Sequence, residues 1–340
     1  MRSKKKIIGN GIFLILVFVL TIYGVFHGED LEAMTEAIRK ADKRMLVLGV
    51  ALVLFFIWGE SVILWYMMRS FGILVKKRIC FLFSSVGFFF SCITPSASGG
   101  QPMQIYYMKK EKIPIPVATV ILMVVTITYK LVLVVIGLGV FLFGGGFRER
   151  YLGEVLPVFY LGVLLNVFCV TFMTVLVFHP DLAEVILTRG MGLLEKFRFL
   201  RRREERAGKL REAMRVYRET AAYLEKNKGV IFRVVLITFI QRFALFAVTW
   251  VVYLSFGLWG AAIQDVVMLQ AVVSVSVDML PLPGGMGISE ALFLRIFPSI
   301  FGEVLLPAMI LSRGLGYYSQ LVISAVFTVA AQVYYSLRRN

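Results

Sequence analysis

Five ionisable side chains sit well inside apolar stretches of this sequence: Glu60, Lys130, Arg242, Asp278 and Arg313. At mid-bilayer each costs about 2.5–3.5 kcal/mol on insertion scales. Together they would cost on the order of 12–17 kcal/mol, comparable to the net stability of a whole domain, about 5–15 kcal/mol. They are therefore expected to face the interior, paired with one another or opening on a hydrated cavity. Asp278 begins the run Asp278-Met-Leu-Pro-Leu-Pro-Gly-Gly-Met-Gly-Ile-Ser-Glu290, whose prolines and glycines cannot continue a helix. A weaker copy, Thr94-Pro-Ser-Ala-Ser-Gly-Gly-Gln-Pro102, lies in the first half. Non-helical backbone at membrane depth survives only where protein or a water-filled cavity satisfies its polar groups. Two such breaks in corresponding halves are the usual pointer to a transporter's binding site.

The chemistry suggested is anion binding. A helix beginning just after Gly285 or Gly287 presents free N–H groups and the positive end of its dipole. At the other tip, Ser96, Ser98 and Gln101 add hydrogen bonds, while Pro95, Gly99 and Gly100 shape the turn as Pro283 and Gly284 do in the second. With Lys130 and Arg313 these residues describe a site suited to a phosphate headgroup. Glu60, Asp278 and Glu290 could receive an amine on the same headgroup. The competing explanation is structural: buried ion pairs that fix helix register, above all Glu60 with Arg242 across two spans. Cys80, Cys92 and Cys169 lack metal-ligand spacing, and His27 and His179 are the only histidines, each outside a span. No metal, no cofactor and no catalytic set is expected.

The elements that must position these groups follow from hydropathy. The 340 residues are 59% hydrophobic, with mean hydropathy +0.81, which excludes an ordinary soluble domain. Apolar runs long enough to cross a bilayer, about 20 residues, are Ile7–Phe26, Met45–Met68, Val117–Phe143, Pro157–Phe178, Val230–Phe256 and Val304–Tyr335. The first follows Met1-Arg-Ser-Lys-Lys-Lys6 without a small-x-small cleavage site and reads as an uncleaved anchor with its basic end in the cytoplasm. The net charge of +16 sits mostly in short loops, as orientation signals and headgroup contacts rather than a nucleic-acid surface.

Arg69, Lys76, Lys77 and Arg78 on one side, and Lys109, Lys110 and Lys112 on the other, flank Cys80–Met108, so this segment leaves and returns on the cytoplasmic face. Asp181–Gly229 carries 13 Lys and Arg against 8 Asp and Glu and is also cytoplasmic. Ile263–Ile300 then starts and ends outside, and Arg338 and Arg339 finish inside. The expected architecture is all-α and integral to the membrane: about six transmembrane helices plus two re-entrant hairpins. It forms one polytopic domain with an inverted repeat, residues 1–150 and 151–340, the latter with a cytoplasmic amphipathic insert at 181–229. Lys130 follows Gly100 by 30 residues and Arg313 follows Gly285 by 28, which supports the repeat unless two glycine turns and two cations coincide by chance. Ala207, Leu210, Met214, Tyr217, Ala221 and Leu224 form one apolar stripe, read as a helix lying on the inner leaflet. Trp58, Trp65, Tyr106, Tyr107, Tyr317 and Tyr318 read as interface anchors or cavity walls, with interface packing the preferred reading for all six.

Gly87-Phe-Phe-Phe with Pro95, Gly99 and Gly100, then Pro281-Leu-Pro-Gly-Gly-Met-Gly-Ile-Ser-Glu290 and Ser312-Arg313, resemble the transmembrane family of lysylphosphatidylglycerol synthases, over nearly the whole chain. The large members of that family join this domain to a cytoplasmic synthetase that loads lysine from tRNA onto phosphatidylglycerol. Their membrane domain moves the product to the outer leaflet and lowers sensitivity to cationic peptides. The resemblance implies a lipid flippase. The 181–229 segment is far too short for an acyltransferase, so lysylphosphatidylglycerol synthesis would require a separate synthetase. Many relatives carry an arginine shortly after the first Gly-Gly and a Glu-Arg pair in the next helix; here Gln104 and Tyr129-Lys130 stand in those places.

The expectation is a bacterial-type cytoplasmic-membrane protein with both termini inside. It would flip a phospholipid, either aminoacylated phosphatidylglycerol or another with a charged headgroup. A secondary transporter of a small anion is the alternative. The expected partners are membrane phospholipids, with a homo-oligomer and a separate lipid-modifying synthetase left open, and no nucleic acid.

Overall fold

The computed structural model describes residues 31–196 and 203–338, and among them every regular element is helical. Five stretches are long and apolar enough to cross a membrane: Lys43–Ser70, Ile115–Phe143, Gly153–Phe178, Lys228–Ser255 and Pro298–Leu337. They coincide with five of the six spans read from the sequence; the sixth, Ile7–Phe26, lies outside the described residues. A helix of 28 residues extends about 42 Å, enough for a hydrocarbon core of about 30 Å with some tilt.

In chain order the α-helices of at least 9 residues are α1 (Leu31–Lys40), α2 (Lys43–Ser70), α3 (Lys77–Cys92), α4 (Gly100–Lys110), α5 (Ile115–Phe143), α6 (Leu156–Phe178), α7 (Pro180–Lys196) and α8 (Arg203–Lys226). They continue with α9 (Lys228–Ser255), α10 (Ile263–Val277), α11 (Ile288–Ile296), α12 (Leu305–Arg313) and α13 (Ser319–Leu337). Local chemistry sets several boundaries. The Asp42 carboxylate accepts the Arg44 N–H at 2.8 Å and starts α2. Pro116 and Pro157 sit in the first turns of α5 and α6, where a missing N–H leaves no helical bond unmade. A wide π-helical turn, Gly314–Tyr318, joins α12 to α13 directly after Arg313; such turns are frequent at functional sites.

Helix α2 packs along α9. The broken pair α3/α4 lies against α2, α5 and α13, while the broken pair α10/α11 lies against α5, α6, α9 and α12. The core divides accordingly. One apolar cluster gathers Phe56, Phe159, Phe246, Phe293 and Phe297, and another Met67, Phe83, Met108 and Ile121. Tyr129 of α5 packs against both, so it marks the seam where the polar residues collect. Outside the core, Leu161, Leu164, Phe168 and Phe172 of α6 and Val322, Val326, Val329 and Val333 of α13 form exposed stripes at three- and four-residue steps. Lipid, not water, is the solvent for apolar faces of that size.

Helix α8 departs from the sequence reading. Met214, Tyr217, Ala221 and Leu224 are buried, and α8 packs on α5, α6, α7 and α9. The Tyr217 hydroxyl donates to Leu176 O at 3.0 Å, and Arg218 pairs with Asp181 at 2.7 Å and Glu184 at 2.6 Å. These four residues are covered by protein instead of lipid, because the ends of α5 and α6 offer an apolar platform that a sequence cannot place beside them.

Candidate functional site

The turns of the two broken pairs touch each other, and their backbones match. Pro95, Ser96 (φ 49°) and Ala97 (φ 55°) form one short turn; Pro283, Gly284 (φ 58°) and Gly285 (φ 65°) form the other. The residues before the two prolines, Thr94 and Leu282, are both extended, at φ −119° and −117°. The backbone therefore pairs Gly284-Gly285 with Ser96-Ala97, not with Gly99-Gly100. Counted from the matching prolines, Lys130 follows by 35 residues and Arg313 by 30, so the near-equal spacing read from the glycines is not a property of equivalent positions. At Gly284 a Cβ would run into the ring of Tyr317 as well as carry a left-handed φ. Gly100 answers a different need: a Cβ there would lie 2.7 Å from the carbonyl oxygen of Gly87, where α4 crosses close to α3.

Two hydrogen bonds tie the first tip to the second half. The Ser96 hydroxyl donates to Leu280 O at 3.3 Å, and the Tyr317 hydroxyl donates to Cys92 O at 2.9 Å. Tyr317, expected at an interface, is thus buried between the tips, with the Arg313 guanidinium 4.7 Å from its ring centroid.

The charges fall into three groups. Asp278, just past the end of α10, takes Lys130 Nζ on Oδ2 at 2.5 Å and has Arg242 Nη2 3.7 Å from Oδ1. Glu290 is fully engaged: Oε1 accepts Arg313 Nε at 2.8 Å, and Oε2 accepts the Gly287 N–H and the Ser289 hydroxyl, both at 2.8 Å. Arg313 Nη2 also donates to Gly284 O at 3.1 Å. The helix start expected to be free after Gly287 is therefore met by the chain's own carboxylate, because Glu290 stands three residues on and its Oε2 accepts the Gly287 N–H. At the first tip the Thr94 hydroxyl takes the corresponding place, accepting the Gly99 N–H at 2.9 Å.

The third group is Glu60, 6% exposed, whose Oε1 accepts Gln104 Nε2 at 2.7 Å. The ion pair expected between Glu60 and Arg242 is not formed. Arg242 turns to Asp278 and lies 4.9 Å from the ring centroid of Tyr129, because α10 ends at its level and supplies a carboxylate not already committed to Gln104. Beside it, Gln241 Nε2 donates to Phe56 O at 2.6 Å and to the Tyr129 hydroxyl.

Two adjoining cavities meet at Arg242 and Asp278. The larger, about 410 Å³, is lined by Glu60, Ser98, Gln101, Gln104, Tyr129 and Lys130, among others. The smaller, about 240 Å³, takes in Thr249, Gln270, Gly284, Gly285, Ser312 and Arg313. Ser96 reaches both. Pro95, Gly99, Gly100, Pro283, Gly287 and Glu290 line neither; they shape the tips from behind. Arg242 Nε is buried with no hydrogen-bond partner among the described residues.

Sequence reading passed over the hydroxyl chain in which Thr249 Oγ1 donates to Gln270 Oε1 at 2.9 Å and sits 2.7 Å from Ser312 Oγ. Such residues in apolar helices ordinarily bond their own preceding turn and leave no signal. Gln241 did leave one, a second polar residue beside Arg242 in a long apolar run. Among the described residues no cluster of His, Cys, Asp and Glu could hold a metal.

Fold and site together define a multi-pass α-helical membrane protein with a polar, charge-balanced cavity between two broken helix pairs. The chain belongs to the family of the lysylphosphatidylglycerol synthase TM region, whose model matches residues 7–324. No curated protein matches the chain at a significant level.

Proposed function

We propose that this chain translocates a phospholipid with a phosphate-bearing, charged headgroup between the leaflets of a bacterial-type cytoplasmic membrane. Membership of a family named for lysylphosphatidylglycerol makes an aminoacylated phosphatidylglycerol one candidate. In this reading α3/α4 and α10/α11 are re-entrant hairpins entering from opposite faces, and the two halves are an inverted repeat with both termini inside. The packing is consistent with it: α3 lies between α2 and α13 much as α10 lies between α9 and α5, and the two tips meet. Rocking of the halves about the tips would open the cavities to each leaflet in turn.

The observation that carries the proposal is the state of Arg242. It reaches both cavities, shares its carboxylate with Lys130, and keeps a buried N–H donor unspent. A phosphate oxygen would complete that donor and the shared charge, with Ser98 and Gln101 on the same wall. Lys130 and Arg242 thus become the phosphate ligands. Arg313, spent on Glu290 and the Gly284 carbonyl, becomes a positioning residue for the second tip.

Reconstitution into vesicles tests the reading. Fluorescent phosphatidylglycerol in the inner leaflet should become accessible to an external quencher with the wild-type protein, and at the protein-free rate with Arg242→Gln. Transport of soluble glycerol phosphate without lipid movement would favour the small-anion alternative instead.

A further inference from the structure

The three carboxylates of the site, Glu60 and Glu290 buried and Asp278 partly so, are not alike. Asp278 faces two cations and Glu290 faces Arg313, whereas Glu60 has no cation within 4 Å among the described residues. Its bonded partner is the neutral amide of Gln104, although it lines the same cavity as Lys130, Arg242 and Asp278. The groups that line this cavity with it are Gln104 of α4, Tyr129 and Lys130 of α5, Arg242 of α9, Asp278 past α10, and Gln320 of α13; from α3 come Gly87, Phe88 and Ser91.

Charge counting gives this arrangement a consequence. With Glu60 ionised, the two cations and two carboxylates of the larger cavity cancel. With Glu60 protonated, one positive charge is left over beside the unspent Nε of Arg242. An anion entering the first state must be buried without net compensation; entering the second, it completes the balance. Whatever favours the proton on Glu60 therefore favours the anion, and by linkage the reverse holds equally.

We infer that Glu60 is a proton-binding site whose protonation is coupled to occupation of the cavity by a phosphodiester anion, so that one proton and one headgroup bind together. The inference rests on the proposed anion-binding cavity and goes beyond it, because it gives that site a driving ion. No bond is made or broken except the O–H bond of the carboxyl, with the proton drawn from the water reaching the cavity. Proton and anion together add no net charge.

The test uses the purified full chain in detergent with dihexanoylphosphatidylglycerol as probe. Calorimetry in two buffers of different ionisation enthalpy should record uptake of up to about one proton per probe bound. Above the titration of Glu60, the wild-type Kd should rise by up to ~10-fold per pH unit. Glu60→Gln, which can still accept from Gln104, should bind with the tight, acid-side Kd at every pH and take up no proton. Affinity flat from acid to alkaline pH, no proton uptake by the wild type, an undiminished pH dependence in Glu60→Gln, or no binding at any pH would each overturn the inference. The wild-type calorimetry stands even if the variant fails to fold. Glycerophosphoglycerol, a soluble phosphodiester with no second ionisation of its own, separates the sources as a second probe: linkage with the lipid alone assigns the site to a headgroup, and linkage with the soluble diester assigns it to a soluble anion. Proton-linked binding without movement of fluorescent phosphatidylglycerol in vesicles would remove the translocation reading and leave the linkage standing.

Discussion

Lys130 can serve the protein in two ways, as the counter-ion of Asp278 or as a ligand of the substrate, and a double-variant cycle separates them. Asp278→Asn leaves Lys130 and Arg242 together in one cavity with no carboxylate between them. Breaking a fully buried pair from one side costs about 3–5 kcal/mol, mostly from the charge left behind; this pair is partly exposed to the cavity, which lowers the cost, but two charges are left. Lys130→Met is milder, because Asp278 keeps Arg242 at 3.7 Å; the loss of one charge-assisted hydrogen bond costs about 1.5–3 kcal/mol. The double variant, Lys130→Met with Asp278→Asn, removes both members of the 2.5 Å pair. Its loss should therefore fall short of the sum of the single losses by about 0.5–3 kcal/mol. Thermal unfolding in one detergent gives the stability ranking, and flipping in vesicles gives function. With Lys130 as a phosphate ligand, the double variant regains stability over Asp278→Asn while flipping stays lost. Recovery of both together would refute the reasoning, since a cation whose absence is harmless once its partner is neutral has no task beyond pairing. A fully stable Asp278→Asn would refute it earlier, by showing that the three charges are not coupled.

Arg313→Lys should destabilise the second tip despite keeping the charge, because one ammonium cannot reproduce the fork that reaches both Glu290 and the Gly284 carbonyl; limited proteolysis near 284–290 and the unfolding temperature report it. Ala97→Gly should stabilise the protein: a left-handed alanine costs about 1–2 kcal/mol, and the extra chain entropy of glycine takes back about 0.5–1 kcal/mol. Gly284→Ala should do the opposite and more strongly, with the Tyr317 ring in the way; equal effects of the two changes on unfolding temperature would contradict the backbone match between the tips. Cysteines placed at Lys76 and Lys110 in a Cys-free background should both be labelled from the cytoplasmic side only, and labelling from opposite faces would remove the re-entrant assignment of α3/α4.

Much of the architecture is legible in the sequence because it is written in local terms. Hydropathy over about 20 residues marks each span, and the prolines and glycines at 95–102 and 281–287 mark the breaks without reference to anything distant. The cost of burying charge is likewise local, so Glu60, Lys130, Arg242, Asp278 and Arg313 declare themselves as interior residues before any contact is known. Partnership is not local. Lys130 meets Asp278 across 148 positions of sequence, and Tyr317 meets Cys92 across 225. Glu60 binds Gln104, where sequence left an ion pair with Arg242 and a substrate-facing role equally open. Nor could residue type reveal that Ser96-Ala97 takes the conformation of Gly284-Gly285, because the first tip adopts left-handed φ without glycine. The helix start after Gly287 shows the same division: its positive end is evident from sequence, but whether a ligand or Glu290 fills it depends on how Arg313 turns that carboxylate. The sequence thus determines which groups must be inside and where the chain must break. Only the packing of α2, α5, α9 and the two broken pairs decides which charges cancel and which donor stays free, since those balances depend on distances between helices that no stretch of sequence contains.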